Sequence, residues 1–205
     1  MSPQAAKTIV VGTFNAGKAA EIAAALAGLP VIVRPLSEYG NLPAATENGT
    51  TFAENALAKA RHYKSLTGAA CLADDSGLEV DALNGAPGVY SARYAGPEAL
   101  DVANNEKLLA ELKDVPPEQR TARFRCVIAF VDVDGTEILA EGRCEGRIIS
   151  SPRGSGGFGY DPLFLLSEEN RTMAELSIEE KNAVSHRGRA LAALKKEMVR
   201  RFGGL

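Results

Sequence analysis

The sequence predicts an α/β fold, a mixed, twisted sheet with helices on both faces. Three observations lead there. Short apolar runs bounded by Gly or Pro alternate with helical patterns over the first half of the chain, the rhythm of strands covered by helices. A period-two segment carrying Phe124, Cys126, Ile128 and Phe130 then runs into a hairpin signal at Asp134-Gly135, which adds strands that return on themselves. The 205 residues are 45% hydrophobic and 24% charged, the balance of a globular enzyme in a single domain over residues 1–205.

The elements follow in order. Residues 8–11 read as a buried strand. Residues 16–27, rich in alanine with Ile22 and Leu26, suit a helix that Gly28 and Pro30 stop. A second short strand covers residues 31–35, and residues 43–49 are loop. Thr51 and Glu54 form a capping box for a helix whose apolar side is Phe52, Ala56, Ala60 and Tyr63. Residues 69–73 are a compact buried strand ending at Asp74-Asp75. Residues 85–96 are glycine-rich loop, and residues 97–112 a helix with Leu100, Ala103, Leu108 and Leu112 toward the core. Strands over 121–131 and 136–148 flank the hairpin turn. Ser177 and Glu180 make a second capping box for a short helix, and a last helix runs from about Ser185 to the carboxyl end.

The totals exclude some classes. A net charge of −3 gives no basic surface for coating nucleic acid. Residues 1–7 are too short and polar for a signal peptide, and no apolar run is long enough to span a bilayer. The odd set Cys71, Cys126 and Cys144 lacks disulfide or zinc spacing and reads as buried reduced thiols. A cytoplasmic protein with neither nucleic-acid nor membrane partner is expected.

Four segments carry candidate chemistry. Gly12 to Lys18 has the spacing of a phosphate loop, but Ala19 stands where a magnesium-binding hydroxyl belongs. A strand, a turn with Asn15 and Gly17, then a helix offers N–H groups and a positive dipole end to a phosphate; an ordinary strand-to-helix turn is the alternative. Asp74-Asp75 followed by Ser76 forms a compact hard-ligand site, with Glu47 as a possible second acid and an Asx turn as the plainer reading. Side chains alternate along a strand, so one aspartate should face the site and the other support it. The stretch SSPRGSGGFGYDPLF sets Phe158 and Tyr160 among glycines, suited to stacking on a flat base or to a flexible connector. Ser185 as N-cap puts His186, Arg187 and Arg189 in a first turn, where cations oppose the helix dipole unless an anionic or oxygen-rich ligand answers them; Lys181 could converge there.

With these segments in view, the chain resembles the inosine triphosphate pyrophosphatase family over nearly its whole length. The likeness rests on TFNAGK, ENGTTFAENALAKA, LADDSGLEVDALNGAPGVYSARYAG, GGFGYDPLF and EKNAVSHRGRAL, in that order. It implies an elongated α/β fold of two lobes with a central cleft, a homodimer, and Mg²⁺-dependent hydrolysis of ITP, dITP and XTP to the monophosphate and pyrophosphate. It further implies that Thr13, Phe14, Asn15, Ala16, Gly17 and Lys18 contact the triphosphate, mainly through Asn15 and Lys18. Asp75 would be metal ligand and proton acceptor, Glu47 would assist the metal and Ser76 would touch substrate. Phe158, Gly159, Tyr160 and Asp161 would line the base pocket, with Phe158 stacking. Lys181, His186 and Arg187 would close around base and phosphates. A phosphate-loop kinase or GTPase and a non-catalytic nucleotide sensor are the competing readings.

Overall fold

The computed structural model describes residues 7–202; the expectations of a leaderless start over residues 1–6 and of a final helix reaching the carboxyl end over residues 203–205 lie outside them. One seven-stranded sheet has the order β2-β1-β3-β4-β5-β6-β7. Its strands are β1 (Lys7–Val11), β2 (Val31–Pro35), β3 (Ala70–Val80), β4 (Thr121–Val131), β5 (Glu137–Ile148), β6 (Phe164–Leu166) and β7 (Arg171–Thr172). β1 lies parallel to β2 (Ile9 against Val33) and to β3 (Ile9 against Ala70). β6 runs antiparallel to both β5 and β7, so the sheet is mixed. Helices α1 (Ala16–Leu26), α2 (Phe52–Thr67), α3 (Asp101–Glu111), α4 (Ile178–Val184) and α5 (His186–Phe202) flank it.

The chain divides into two compact units. The first takes the chain up to Asp75, residues 127–141 and the chain from Ala190 on; the second takes residues 76–126 and 142–189. In the first, α2 begins at the capping box, with Thr51 Oγ1 accepting from the Glu54 N–H, and ends at Gly68 in the left-handed conformation. Its stripe of Phe52, Ala56, Ala60 and Tyr63 is buried, and Tyr63 packs with Val10, Leu36 and Cys71. In the second, Leu78, Leu108, Leu112, Phe124, Phe164 and Met173 belong to one core cluster.

Three expectations need correction. β3 does not end at the acidic pair but runs through it to Val80, because both carboxylates find cationic partners and Leu78 and Val80 are buried beyond them. α3 starts at Asp101 rather than Pro97; Leu100 is extended, 77% exposed and outside the core, while Asn104 takes a buried place on the helix. The 85–96 loop contains a 3₁₀ turn over Gly88–Arg93. No helix among the described residues is long and apolar enough to cross a membrane.

Candidate active site

In the first unit, the chain leaves β1 at Gly12, whose N–H donates to the Leu72 carbonyl at 2.7 Å. A Cβ there would lie 3.0 Å from Cys71 Sγ and 3.1 Å from the Tyr63 ring, so any larger residue would have to displace these buried neighbours by a few tenths of an ångström. Thr13 Oγ1 accepts from the Asn15 N–H, and Asn15 caps α1 by accepting from the Lys18 N–H at 2.9 Å. That commits the Asn15 oxygen and leaves its Nδ2 as the end able to donate to a ligand. Phe14 is exposed and meets Tyr63 edge-on, ring centroids 5.9 Å apart.

The acidic pair separates as strand alternation requires. Asp74 pairs with Lys18 Nζ of α1 at 3.1 Å. Asp75 faces α2 instead: its Oδ1 accepts from Lys59 Nζ at 2.9 Å and its Oδ2 from Asn55 Nδ2 at 3.1 Å. Lys59 also reaches Glu47 Oε2 at 3.1 Å, so one ammonium gathers two carboxylates. Burial pushes the Asp75 carboxyl above its ordinary range, and Lys59, Lys18 and the Asn55 amide only partly offset it. Burial alone would lower the Lys59 pKa, but Asp75, Asp74 and Glu47 outweigh it and hold the ammonium above its ordinary value.

The loop that carries Glu47 is pinned to α2 at several points. The Ala45 N–H donates to Tyr63 Oη, His62 Nε2 meets the Pro43 carbonyl at 2.9 Å, and the Gly49 N–H donates to Asn55 Oδ1 at 2.8 Å. Asn55 and Lys59 were not among the sequence-level candidates. Their signal was a polar pair four residues apart beside the apolar stripe of α2, hence on a shared face that had to be buried.

The second unit holds the other cluster. Asp161 Oδ2 accepts from Lys181 Nζ at 2.5 Å and from the Phe158 N–H at 2.9 Å. Gly157 makes room for that carboxylate: at φ +71° a Cβ would come within 2.2 Å of Asp161 Oδ2. Lys181 Nζ lies 4.6 Å from the Phe158 ring centroid and Arg187 Cζ 5.6 Å, so two cations address one aromatic face or edge. Arg187 is fully buried and donates to Ser76 Oγ at 2.9 Å. Ser185 does cap α5, accepting from the Gly188 N–H, which sets His186 and Arg187 in the first turn; the His186 ring stacks on Phe124 at 4.6 Å. Arg189 is turned elsewhere and donates to the Arg143 carbonyl. Tyr160 is built into the core, its hydroxyl donating to the Ser91 carbonyl. Thus Asp161, Lys181, Phe158, Arg187 and Ser76 meet in one constellation, and Lys18, Asp74, Asp75 and Glu47 in another.

Comparison with known proteins identifies the family of the chain. The Ham1 family model matches residues 9–197. A dITP/XTP pyrophosphatase of Geobacter sulfurreducens is 57% identical over 190 residues, covering 93% of this chain and 96% of its own. Another, of Geobacillus kaustophilus, is 50% identical and covers 97% of each chain. The solved structure of a HAM1 protein from Coxiella burnetii superposes with a TM-score of 0.83 at 43% identity, covering 95% of this chain and 99% of its own. A family match over residues 9–197, with relatives at 50% identity or more along nearly the whole chain, means that this chain belongs to the Ham1 family.

Proposed function

We propose that the protein is a Mg²⁺-dependent pyrophosphohydrolase of non-standard purine nucleoside triphosphates (ITP, dITP and XTP). The observation that carries this is Asp75, a buried carboxylate held by Asn55 and Lys59 at the point where Lys59 also draws in Glu47. The names of its relatives, dITP/XTP pyrophosphatases, support the substrate class.

The donor set suits magnesium. Two hard-oxygen carboxylates, Asp75 and Glu47, already gather about a single positive centre, and magnesium takes one or two protein carboxylates with water and phosphate completing its shell. When bound, the ion supplies charge neutralisation at the phosphate oxygens. Lys18 and the Asn15 amide hold the triphosphate. Asp75 accepts a proton from the water that attacks the α-phosphorus in line, and its raised proton affinity suits that role. The bond from the α-phosphorus to the bridging oxygen breaks, releasing pyrophosphate and the nucleoside monophosphate. Positioning and charge stabilisation supply most of the rate.

Phe158 stacks on the purine, while Lys181, His186 and Arg187 offer donors to a 6-oxo group. Adenine presents an amino group there and would leave buried donors unpaired, the stronger form of rejection. The protein acts as a homodimer, which light scattering on the purified chain tests. The reaction is tested by incubating enzyme with dITP, ITP, XTP, GTP and ATP, with and without Mg²⁺, and identifying products by phosphorus NMR. Monophosphate plus pyrophosphate from dITP and XTP is expected. Orthophosphate alone would support a phosphate-loop enzyme instead, and unchanged nucleotide a sensor.

A further inference from the structure

Gly159 lies between Phe158 and Tyr160, and both its backbone polar groups are taken by one face of α3. The Asp101 carboxylate accepts from the Gly159 N–H at 2.6 Å, and the Asn105 side-chain amide donates to the Gly159 carbonyl at 2.9 Å. Asp101 and Asn105 are four residues apart on a helix and so stand one above the other. Gly159 itself sits at φ +60°, a conformation that glycine enters and leaves freely. Local preference therefore does not by itself hold this peptide in one state. A turn bond from the Asp161 N–H to the Phe158 carbonyl at 3.2 Å and the two bonds from α3 do so together.

The clamp grips two successive peptide planes. The first, between Phe158 and Gly159, carries the Phe158 carbonyl, so holding its N–H fixes the backbone on the C-terminal side of Phe158. On the other side, the Phe158 N–H is held by Asp161. Anchored from both directions, the ring is kept against Lys181 and Arg187. Asp101 is exposed and Asn105 half-buried, so neither is required to fill the core. As the first residue of α3, Asp101 already favours the helix N-terminus without bonding to Gly159.

We propose that Asp101 and Asn105 are positioning residues for nucleobase recognition. They contact no substrate atom and hold the Gly159 peptide so that Phe158 presents its ring to the purine. This rests on the stacking role of Phe158 given above. Fixing the platform in advance spares the ordering cost on binding, so the effect belongs in affinity for the base and not in the hydrolytic step.

The test is steady-state kinetics on dITP and dGTP for Asp101→Ala, Asn105→Ala, Asp101→Asn and Asn105→Asp, with inhibition by inorganic tripolyphosphate and melting temperature measured in parallel. Each alanine variant should raise KM for dITP about tenfold, the scale of one charge-assisted or buried hydrogen bond, with kcat within about twofold of wild type. Preference for dITP over dGTP should fall, and tripolyphosphate inhibition should not change, since that probe carries no base. Asp101→Asn, which keeps an acceptor, should recover most of the affinity. Asn105→Asp, which sets a carboxylate against the Gly159 carbonyl, should be worse than alanine. Unchanged KM and base preference in the alanine variants, with or without a lower melting temperature, would overturn the proposal. So would an equal loss in kcat and in tripolyphosphate inhibition. Should Asn105→Ala fail to fold, the exposed Asp101→Ala decides the matter by the same measurements. A wild-type enzyme that leaves dITP intact would overturn the proposed function as well.

Discussion

Asp75 sits under opposing influences, burial favouring its protonated form and Lys59 its charged one. Replacing it by Asn preserves shape and leaves Lys59 with Glu47, so Asp75→Asn should stay folded while kcat falls by about 10²–10⁴-fold, the usual worth of a positioned base. Pyrophosphate release measured beside a far-ultraviolet spectrum checks both halves. Lys59→Met leaves two carboxylates without their shared cation, and loss of one member of a buried pair costs about 3–5 kcal/mol. Urea unfolding should show that loss, and the double variant Lys59→Met/Asp75→Asn should lose less than the sum of the singles. The thiols behave differently. Burial pushes Cys71 up to about 12 and Cys144 up to about 11, so both should react with an aromatic disulfide at pH 8 only after unfolding. Asp75 was legible in the sequence because two adjacent acids at an apolar strand demand an explanation. Lys59 was not, because a lysine in a helix ordinarily faces water, and only three-dimensional pairing reveals that this one does not.

The junction of α4 and α5 makes the next scale explicit. Gly188 lies so close to α4 that a Cβ would fall 1.8 Å from the Asn182 carbonyl oxygen. Gly188→Ala must force the two helices apart, separating Lys181 from Arg187, and should reduce both melting temperature and dITP turnover in the same preparation. At the other end of α4, Glu180 closes the capping box with Ser177 and pairs with Arg171. Its pKa is lowered from 4.5 to about 2, first by the Arg171 bond and then by the Ser177 N–H. A lowered pKa means that the stabilisation is complete above pH 4.5 and disappears as the pH falls toward 2. Wild type should therefore exceed Glu180→Gln in stability near neutrality, and urea midpoints of the two should converge over that acid window. Capping boxes at Thr51 and Ser177 were readable because their bonds are local in sequence. The extent of β3 was not, since what keeps it extended past Asp75 is supplied by α1, α2 and the Ser91 hydroxyl, which accepts the Leu78 N–H.

For the whole molecule, the divisions at residues 75/76, 126/127, 141/142 and 189/190 each fall inside a regular element, namely β3, β4, β5 and α5. Domain boundaries ordinarily fall in exposed linkers. Three strands and a helix run straight through these divisions, so we expect a single cooperative unfolding transition. The chain has no tryptophan, which allows one reporter to be installed per unit, for example Phe14→Trp and Tyr90→Trp at exposed positions. Coincident urea curves are expected, and separated midpoints would refute it. The mixed α/β sheet was legible from alternation and from the hairpin at Asp134-Gly135, both carried by near neighbours in the chain. The strand order was not, because it brings β1 between β2 and β3 through contacts distant in sequence. The opposite turning of Asp74 and Asp75 has a practical outcome for protein engineers. Transplanting the acidic dipeptide into another scaffold would carry nothing over by itself, since each carboxylate depends on a lysine from a separate helix. Deleting one residue upstream within β3 would move Asp75 into the slot beside Lys18 and bring Ser76 to Lys59, while leaving composition almost untouched.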